Sequence, residues 1–295
     1  MSATLACLTG GAVYRLALEG QPAVKEIPPR NTPFGASETI ALVEDAPAPF
    51  YLVPRYGPDR SFLTPARVNY RANLYALKDL GVEAVVSWTA AAAITHNLSI
   101  GQLVIPDDLI DMTRHRPTTF FENSGLGLLR QFPVFCPRLR RALADVLNEA
   151  RLPFQPEGTV AVTEGPRLET PSEVRLLANA GAQLITHTLA PDFALARELQ
   201  MCFAGVCHVA SYAETGSRHR PFSTGTLFSG LTQASEAQRV QRAARAPLAV
   251  ARGLLERLPS MEASCACSQS LAHHIEAEGL DEDWHTWFDA PGGPT

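Results

Sequence analysis

The 295-residue chain contains no long apolar run and no excess of positive charge. No stretch approaches the ~20 apolar residues that a membrane-spanning helix needs. The N-terminal residues also lack the basic region and apolar length of a signal peptide. The formal net charge of -5 argues against nucleic acid and anionic membranes as partners, because both attract basic protein faces. We therefore expect a cytoplasmic protein with neither kind of partner.

Cysteine is sparse, and its six positions are too few for a secreted disulfide scaffold. Four of them are expected to be small buried residues, namely Cys7, Cys136, Cys202 and Cys207. Cys265 and Cys267 form a C-x-C pair, for which two free thiols are favoured over a strained disulfide. That spacing is shorter than in a zinc knuckle, and no second pair accompanies it. The absence of HExxH, CxxC pairs and Walker-type loops further argues against a metal or nucleoside-triphosphate site.

Apolar residues make up 46% of the chain, enough for a full core, and their periodicity alternates between strand and helix. Strands are predicted over 3–8, 39–43, 50–53, 84–88, 103–105, 158–163, 183–186 and 201–209. Helices are predicted over 67–80, 137–151, 172–180, 192–199 and, as one long final helix, 235–258. This alternation predicts an α/β fold. One domain over 1–258 is expected, followed by an appended, partly mobile segment over 259–295.

Four predicted strands end in residues that suit an anion. The loops begin at Thr9-Gly10-Gly11, Arg55, Thr89 and Thr186. Ligands collect at the carboxyl ends of strands in α/β sheets. Glycines let backbone N–H groups approach an oxyanion, and arginine offers a charged fork. The alternative is ordinary turns, since two glycines after a strand are usually no more than that.

Glu169 and the strand histidines each admit two interpretations. The carboxylate of Glu169 could accept from a ligand N–H. Alternatively, its negative charge could only stabilise the N-terminus of a helix through the helix dipole, with Thr170 as N-cap and Pro171 at the first helical position. His187 and His208 lie in apolar strand contexts, where core histidines are the commoner explanation.

Several segments in order resemble one family. They are Thr64-Pro65-Ala66-Arg67-Val68-Asn69-Tyr70-Arg71-Ala72-Asn73, Asn31-Thr32-Pro33-Phe34-Gly35, Phe135-Cys136-Pro137, Thr163-Glu164-Gly165-Pro166-Arg167-Leu168-Glu169-Thr170, and Cys265-Ala266-Cys267 with Leu271-Ala272-His273. Together they resemble the methylthioadenosine phosphorylases. The resemblance implies the nucleoside phosphorylase fold, a central mixed β-sheet flanked by helices. It also implies a homotrimer that uses phosphate as co-substrate to cleave purine nucleosides, without metal or organic cofactor.

The resemblance further implies a phosphate site. Its residues are Gly11, Arg55, Tyr56, Thr89, the Ala90 amide and Thr188. Tyr56 stands where the family has a histidine that also binds phosphate. The family's glycine-glycine-threonine-glycine loop reads Gly10-Gly11-Ala12-Val13 here, so one hydroxyl is missing. Ala92 and Ala93 replace a glycine pair and add methyl groups near the ligand.

At the nucleoside end, the resemblance places His187 beside the ribose, where the family has methionine, and Leu168 where an aromatic often stacks on the purine. Glu169 matches the glutamate of members that bind 6-oxopurines, which favours a methylthioinosine-like base. Ser211 takes the place of the catalytic Asp or Asn at the purine ring, and Ala213 that of the next acid. Losing a charge-stabilising donor there costs on the order of 2–4 kcal/mol of barrier.

Three hypotheses follow. The first is an active phosphorylase for a 5′-modified purine nucleoside, of the methylthioadenosine or methylthioinosine type. The second is a catalytically impaired, nucleoside- or purine-binding homologue with a regulatory role. The third is an enzyme retuned to a specialised nucleoside. The histidine that the family carries ahead of Phe135 is absent here, in the segment from which a neighbouring subunit usually closes the 5′ pocket.

Overall fold

A computed structural model describes residues 4–20, 24–44, 47–58, 63–95, 97–122, 124–213, 233–260, 265–278, 280–281 and 283–288. Its strands are β1 Leu5–Thr9, β2 Val24–Ile27, β3 Asn31–Thr32, β4 Gly35–Ala36, β5 Ile40–Val43, β6 Phe50–Pro54, β7 Ala84–Ala93, β8 Leu103–Val104, β9 Asp108–Asp111, β10 Phe154–Gln155, β11 Thr159–Val162, β12 Leu184–Thr186 and β13 Cys202–Tyr212. Its α-helices are α1 Gly11–Leu18, α2 Tyr70–Asp79, α3 Pro137–Glu149, α4 Pro171–Asn179, α5 Asp192–Glu198, α6 Ala234–Arg245, α7 Pro247–Arg257 and α8 Ala272–Glu278.

Within these described ranges, eleven strands form one mixed sheet. Eight of them follow the order β10-β8-β13-β7-β1-β6-β5-β2. The other three form a branch in which β12 pairs with β7, β11 with β12, and β9 with β11. The centre is parallel, since β1 pairs in parallel with β6 and β7, and β13 pairs in parallel with β7. Antiparallel pairing occurs where β12 meets β7 and where β5 meets β6 and β2. This arrangement confirms the predicted α/β class with a central mixed sheet.

Alternate side chains of β1 enter two different cores, one on each face of the sheet. Ala6 and Leu8 join the core that includes α2 and α5. Leu5 and Cys7 join the core that includes α1, α3, α6 and α7. Successive strand side chains point to opposite faces, so a strand covered on both faces is apolar throughout. The layers are therefore helix, sheet and helix.

Three sequence predictions need correction. The long final helix is two helices, because Pro247 at the start of α7 has no N–H to continue the ladder of α6. The expected turn after Thr9 is instead the start of helix α1, with Gly10 as its N-cap. Thr89 and Ala90 do not begin a loop; they lie inside β7, which continues to Ala93.

The described part of the tail packs on the domain. The side chains of Leu271, Trp287 and Phe288 are buried in the same core as α2. Phe288 packs edge-on against Phe34, with ring centroids 5.7 Å apart. The mobility expected for other parts of 259–295 stays a prediction. In the part of the chain that the structure describes, no helix has the length and apolar character to span a membrane.

Candidate active site

A cavity of about 770 Å³ opens where β1, β6 and β12 end and β7 continues. Seven of the residues predicted from the sequence line it: Gly11, Arg55, Tyr56, Thr89, Ala90, His187 and Thr188. The register explains why they meet. Thr9 pairs with Trp88, so β7 runs on beyond the end of β1 with β13 still paired beside it, and β12 then pairs antiparallel with its last residues.

Arg55 is held rigidly at the base of this cavity. Its side chain is 1% exposed, and its Nε and Nη2 donate to Asp192 Oδ2 at 3.3 and 3.2 Å. Nη2 also donates to Ser87 Oγ at 2.6 Å. Burial acts to lower the pKa of Arg55, but the charge of Asp192 raises it overall, so the guanidinium stays protonated. Nη1 is buried without a partner among the described residues, which leaves its two N–H groups for an anion.

Three buried threonines form a hydroxyl cluster at the junction of β7 and β12. Thr89 Oγ1 is 3.1 Å from Thr186 Oγ1 and also contacts Thr188 Oγ1. Thr186 Oγ1 donates to the Ala90 carbonyl at 2.8 Å, so its proton is committed. Hydroxyl protons rotate to suit their acceptor. Thr89 and Thr188 can therefore turn donors toward a bound oxyanion, while Thr186 holds the cluster together.

The N-terminus of α1 faces the same cavity through Gly10 and Gly11. The first turn of a helix leaves backbone N–H groups unpaired and carries partial positive charge, which suits an anion. A Cβ built on Gly10 would meet nothing within 4 Å. The glycine therefore leaves open space beside the helix end rather than relieving a backbone clash.

Glu169 lies behind His187 as seen from the cavity. His187 Nε2 is 3.3 Å from Glu169 Oε1, and Thr163 Oγ1 donates to the same carboxylate oxygen. Burial acts to raise the pKa of Glu169, but these two hydrogen bonds lower it overall, so the group is a carboxylate. Glu169 itself lines a smaller pocket of about 280 Å³ on the other side.

The helix that follows Glu169 is built as predicted. Thr170 caps α4, with Pro171 in its first turn, and Glu173 completes a capping box. Gly165, in the preceding loop, has φ +61°, and a Cβ there would lie 2.8 Å from His187 Nδ1. Glycine is thus required for the approach of the His187 ring.

Arg116, which sequence reasoning missed, ties the loops around His187 together. Its Nη1 donates to the carbonyls of His187 at 2.9 Å and Ala190 at 2.6 Å. Its Nη2 donates to those of Thr163 at 3.0 Å and Glu164 at 2.8 Å. The side chain is fully buried. No motif signals this role, because each acceptor is a backbone carbonyl.

His208 of β13, which pairs with Ala90 of β7, lines the cavity beside Thr89. Burial lowers the pKa of this histidine to about 4, so the ring is neutral. Its Nδ1 is buried without a partner among the described residues, while the ring makes a hydrogen bond to the Thr89 backbone. The apolar strand context pointed to a core histidine; the buried ring also borders the cavity.

Besides Glu169, two predicted residues do not line the cavity in this structure. Leu168 is half-buried in the loop before α4. Ser211 is half-buried on β13 beside a bulge, opposite Ala92, while Ala210 and His208 of that strand face the cavity. The described lining contains no Asp or Glu. The contact of Ser211 with a purine stays a prediction.

Comparison with known proteins decides the family. Residues 6–256 match the Phosphorylase superfamily. The chain belongs to this superfamily. A 6-oxopurine nucleoside phosphorylase of Pyrococcus furiosus is 36% identical over 214 residues, which are 68% of this chain and 80% of that protein. A probable S-methyl-5′-thioinosine phosphorylase of Methanothermobacter thermautotrophicus is 35% identical over 182 residues, 62% of each chain.

The fold comparison agrees. A crystal structure of a methylthioadenosine phosphorylase from an antarctic soil metagenomic library superimposes with a TM-score of 0.79 at 25% identity, covering 92% of each chain. The phosphorylase described here therefore has the nucleoside phosphorylase fold that its sequence motifs predicted. It is a phosphate-dependent pentosyltransferase of the purine nucleoside phosphorylase family.

Proposed function

We propose that this phosphorylase uses phosphate to cleave the N-glycosidic bond of a 5′-modified purine nucleoside, of the methylthioadenosine or methylthioinosine type. The products are a free purine and a ribose 1-phosphate derivative. One observation carries the proposal: the fold brings Arg55, Thr89, Thr188 and the N-terminus of α1 to one cavity. These are the donors that a phosphate dianion requires.

The chemistry follows from this placement. As the glycosidic bond breaks, the sugar develops oxocarbenium character and a phosphate oxygen attacks its anomeric carbon. Phosphate held by the guanidinium, hydroxyls and helix end would be positioned for that attack and partly stripped of water. Because Asp192 already neutralises Arg55, the cradle adds little net charge, and the dianion keeps its nucleophilic character.

For the base, the paired His187 and Glu169 support a 6-oxopurine. A carboxylate can accept the N–H that such a base carries and adenine lacks at the same ring position. The carboxylate of Glu169 now contacts the His187 ring. It would accept the hydrogen bond of the base either directly, beside this ring, or through it. We expect Glu169→Gln to lose selectivity for methylthioinosine over methylthioadenosine, measured as the ratio of kcat/KM values. Glu157→Gln, an exposed change outside the cavity, should leave that ratio unchanged.

The subunit assembly belongs to the same proposal. Leu128 and Phe132 are 88% and 90% exposed, in the segment ahead of Phe135 from which a neighbouring subunit would close the 5′ pocket. Large exposed apolar side chains of this kind mark contact surfaces. We expect a homotrimer by light scattering, and Phe132→Asp should dissociate it.

The direct test is release of free purine from a nucleoside panel by purified protein, with and without phosphate. Methylthioadenosine, methylthioinosine, adenosine, inosine and guanosine form the panel. We expect phosphate-dependent release, fastest from a 5′-methylthio compound. Purine binding without release of purine from any nucleoside of the panel would instead support the impaired homologue. The absence of a carboxyl group from the described cavity lining favours that alternative.

A further inference from the structure

Four cysteines from three distant parts of the chain meet at one point beside the tail. Cys136 is the N-cap of α3, Cys202 is the first residue of β13, and Cys265 and Cys267 belong to the tail after α7. All four thiols are free, and their Sγ atoms lie within 4.8 Å of one another. We propose that this four-cysteine cluster binds one zinc ion as a structural tetrathiolate site.

The spacing of the sulfur atoms suits zinc. Four sulfurs at about 2.3 Å from a tetrahedral zinc are about 3.8 Å apart. Cys202 Sγ and Cys265 Sγ are 3.6 Å apart, and no pair exceeds 4.8 Å. Binding therefore needs shifts of no more than about an ångström. Cys136 and Cys202 supply the second pair that the C-x-C spacing lacks when the sequence is considered alone.

The pair formed by Cys136 and Cys202 is fixed by the backbone of the domain. The Cys136 N–H donates to the Phe203 carbonyl at 2.8 Å, next to Cys202 in β13. The Cys202 N–H donates to the Glu83 carbonyl at 2.8 Å. Two ligands are thus preorganised on regular elements, and the tail brings the other two.

The charge around the cluster suits a site of net negative charge. Zinc with four thiolates carries about -2. The N–H of Leu139, in the first turn of α3, lies 3.5 Å from Cys136 Sγ, so a helix N-terminus faces this sulfur. The half-buried Arg197 guanidinium interacts electrostatically with Cys136 and Cys267, and it donates to the Val134 carbonyl at 3.2 Å.

An ion can reach the cluster, and its binding would anchor the tail. A cavity of about 700 Å³ borders Cys136, Cys265 and Cys267. Ser270 Oγ, just beyond the pair, donates to the Arg197 carbonyl at 2.6 Å, and the next residue, Leu271, is fully buried. A metal here would fasten the tail segment to the start of α3 and β13, as a cross-link does.

The test measures metal directly, so its outcome does not depend on phosphorylase activity. Protein purified with a thiol reductant and without chelator should contain one zinc per chain by mass spectrometry of the metal. Replacing zinc with Co²⁺ should give the intense visible absorption of a tetrahedral thiolate site. Cys265→Ser and Cys267→Ser should lose the metal and melt at lower temperature. Cys207→Ala, a buried cysteine outside the cluster, should keep it.

Two results would overturn the proposal. One is wild-type apoprotein, reduced and anaerobic, that binds neither Zn²⁺ nor Co²⁺ at micromolar concentration. The other is a disulfide among these four cysteines, found by mass spectrometry of protein kept in reductant. The cobalt spectrum of the wild-type chain needs no variant, so a misfolded variant cannot obscure the answer.

Discussion

The buried pair of Arg55 and Asp192 makes the phosphate site testable through stability. Asp192→Asn keeps the size of the side chain and one acceptor but removes the charge opposite a guanidinium that is 1% exposed. Breaking a buried pair by removing one partner costs about 3–5 kcal/mol, and we take the lower figure because Asn can still accept. At about 2 °C per kcal/mol for a chain of this size, the melting temperature should fall by about 6 °C.

Phosphate should then stabilise the variant more than the wild type. With Asp192 neutralised, a bound phosphate becomes the counter-charge of Arg55. A tenfold gain in phosphate affinity is worth about 1.4 kcal/mol, or about 3 °C of extra stabilisation when phosphate is in excess. The assay is thermal unfolding in phosphate against sodium chloride of equal ionic strength. Asp145→Asn is the matched control, because that carboxylate is 49% exposed and pairs with Arg257 at 3.5 Å.

If phosphate raises the melting temperature of Asp192→Asn no more than that of the wild type, Arg55 does not hold phosphate. The same conclusion follows if sodium chloride produces the whole effect. A drop in stability without a phosphate effect would leave Arg55 as a structural residue only.

Three further predictions concern the cavity and its support. Thr188→Val should raise the KM for phosphate by about 10- to 100-fold, because a hydrogen bond to a charged group contributes about 1.5–3 kcal/mol. Thr159→Val on β11, the control, should leave this KM unchanged. Arg116→Met should destabilise the fold by about 3–5 kcal/mol in urea unfolding, because one buried and three part-buried carbonyls lose their donors; a loss below about 1 kcal/mol would contradict its positioning role. The pKa of His208 is about 4 in the folded protein and 6.5 in the unfolded chain. Between these pH values the unfolded chain binds more protons than the folded protein. The free energy of unfolding should therefore fall by about 3 kcal/mol as the pH drops from 6.5 to 4. His208→Gln should flatten that dependence, and an unchanged slope would show that other groups cause it.

Much of the fold was predictable because the strands and helices are marked locally. The capped helix at Thr170 and Pro171 follows from two residues, and the break at Pro247 could have been predicted from the proline alone. The helix at Gly11 escaped prediction because two glycines favour a turn, and its stability comes from packing Val13 and Tyr14 on the sheet.

The site was predictable where one strand end carries a recognisable side chain, as with Arg55 and Thr188. It was not predictable where the partner is distant. Asp192 lies 137 residues from Arg55, and Arg116 meets only backbone carbonyls. The four-cysteine cluster joins positions that no spacing rule connects, because a backbone hydrogen bond between Cys136 and Phe203 holds the start of α3 beside β13.

Phosphate-dependent release of purine from methylthioinosine by the purified wild-type protein tests the central claim most directly. We expect free hypoxanthine and a methylthioribose 1-phosphate in equal amounts, with no release when phosphate is omitted. Release at the same rate without phosphate, or no release from any nucleoside of the panel, would contradict it.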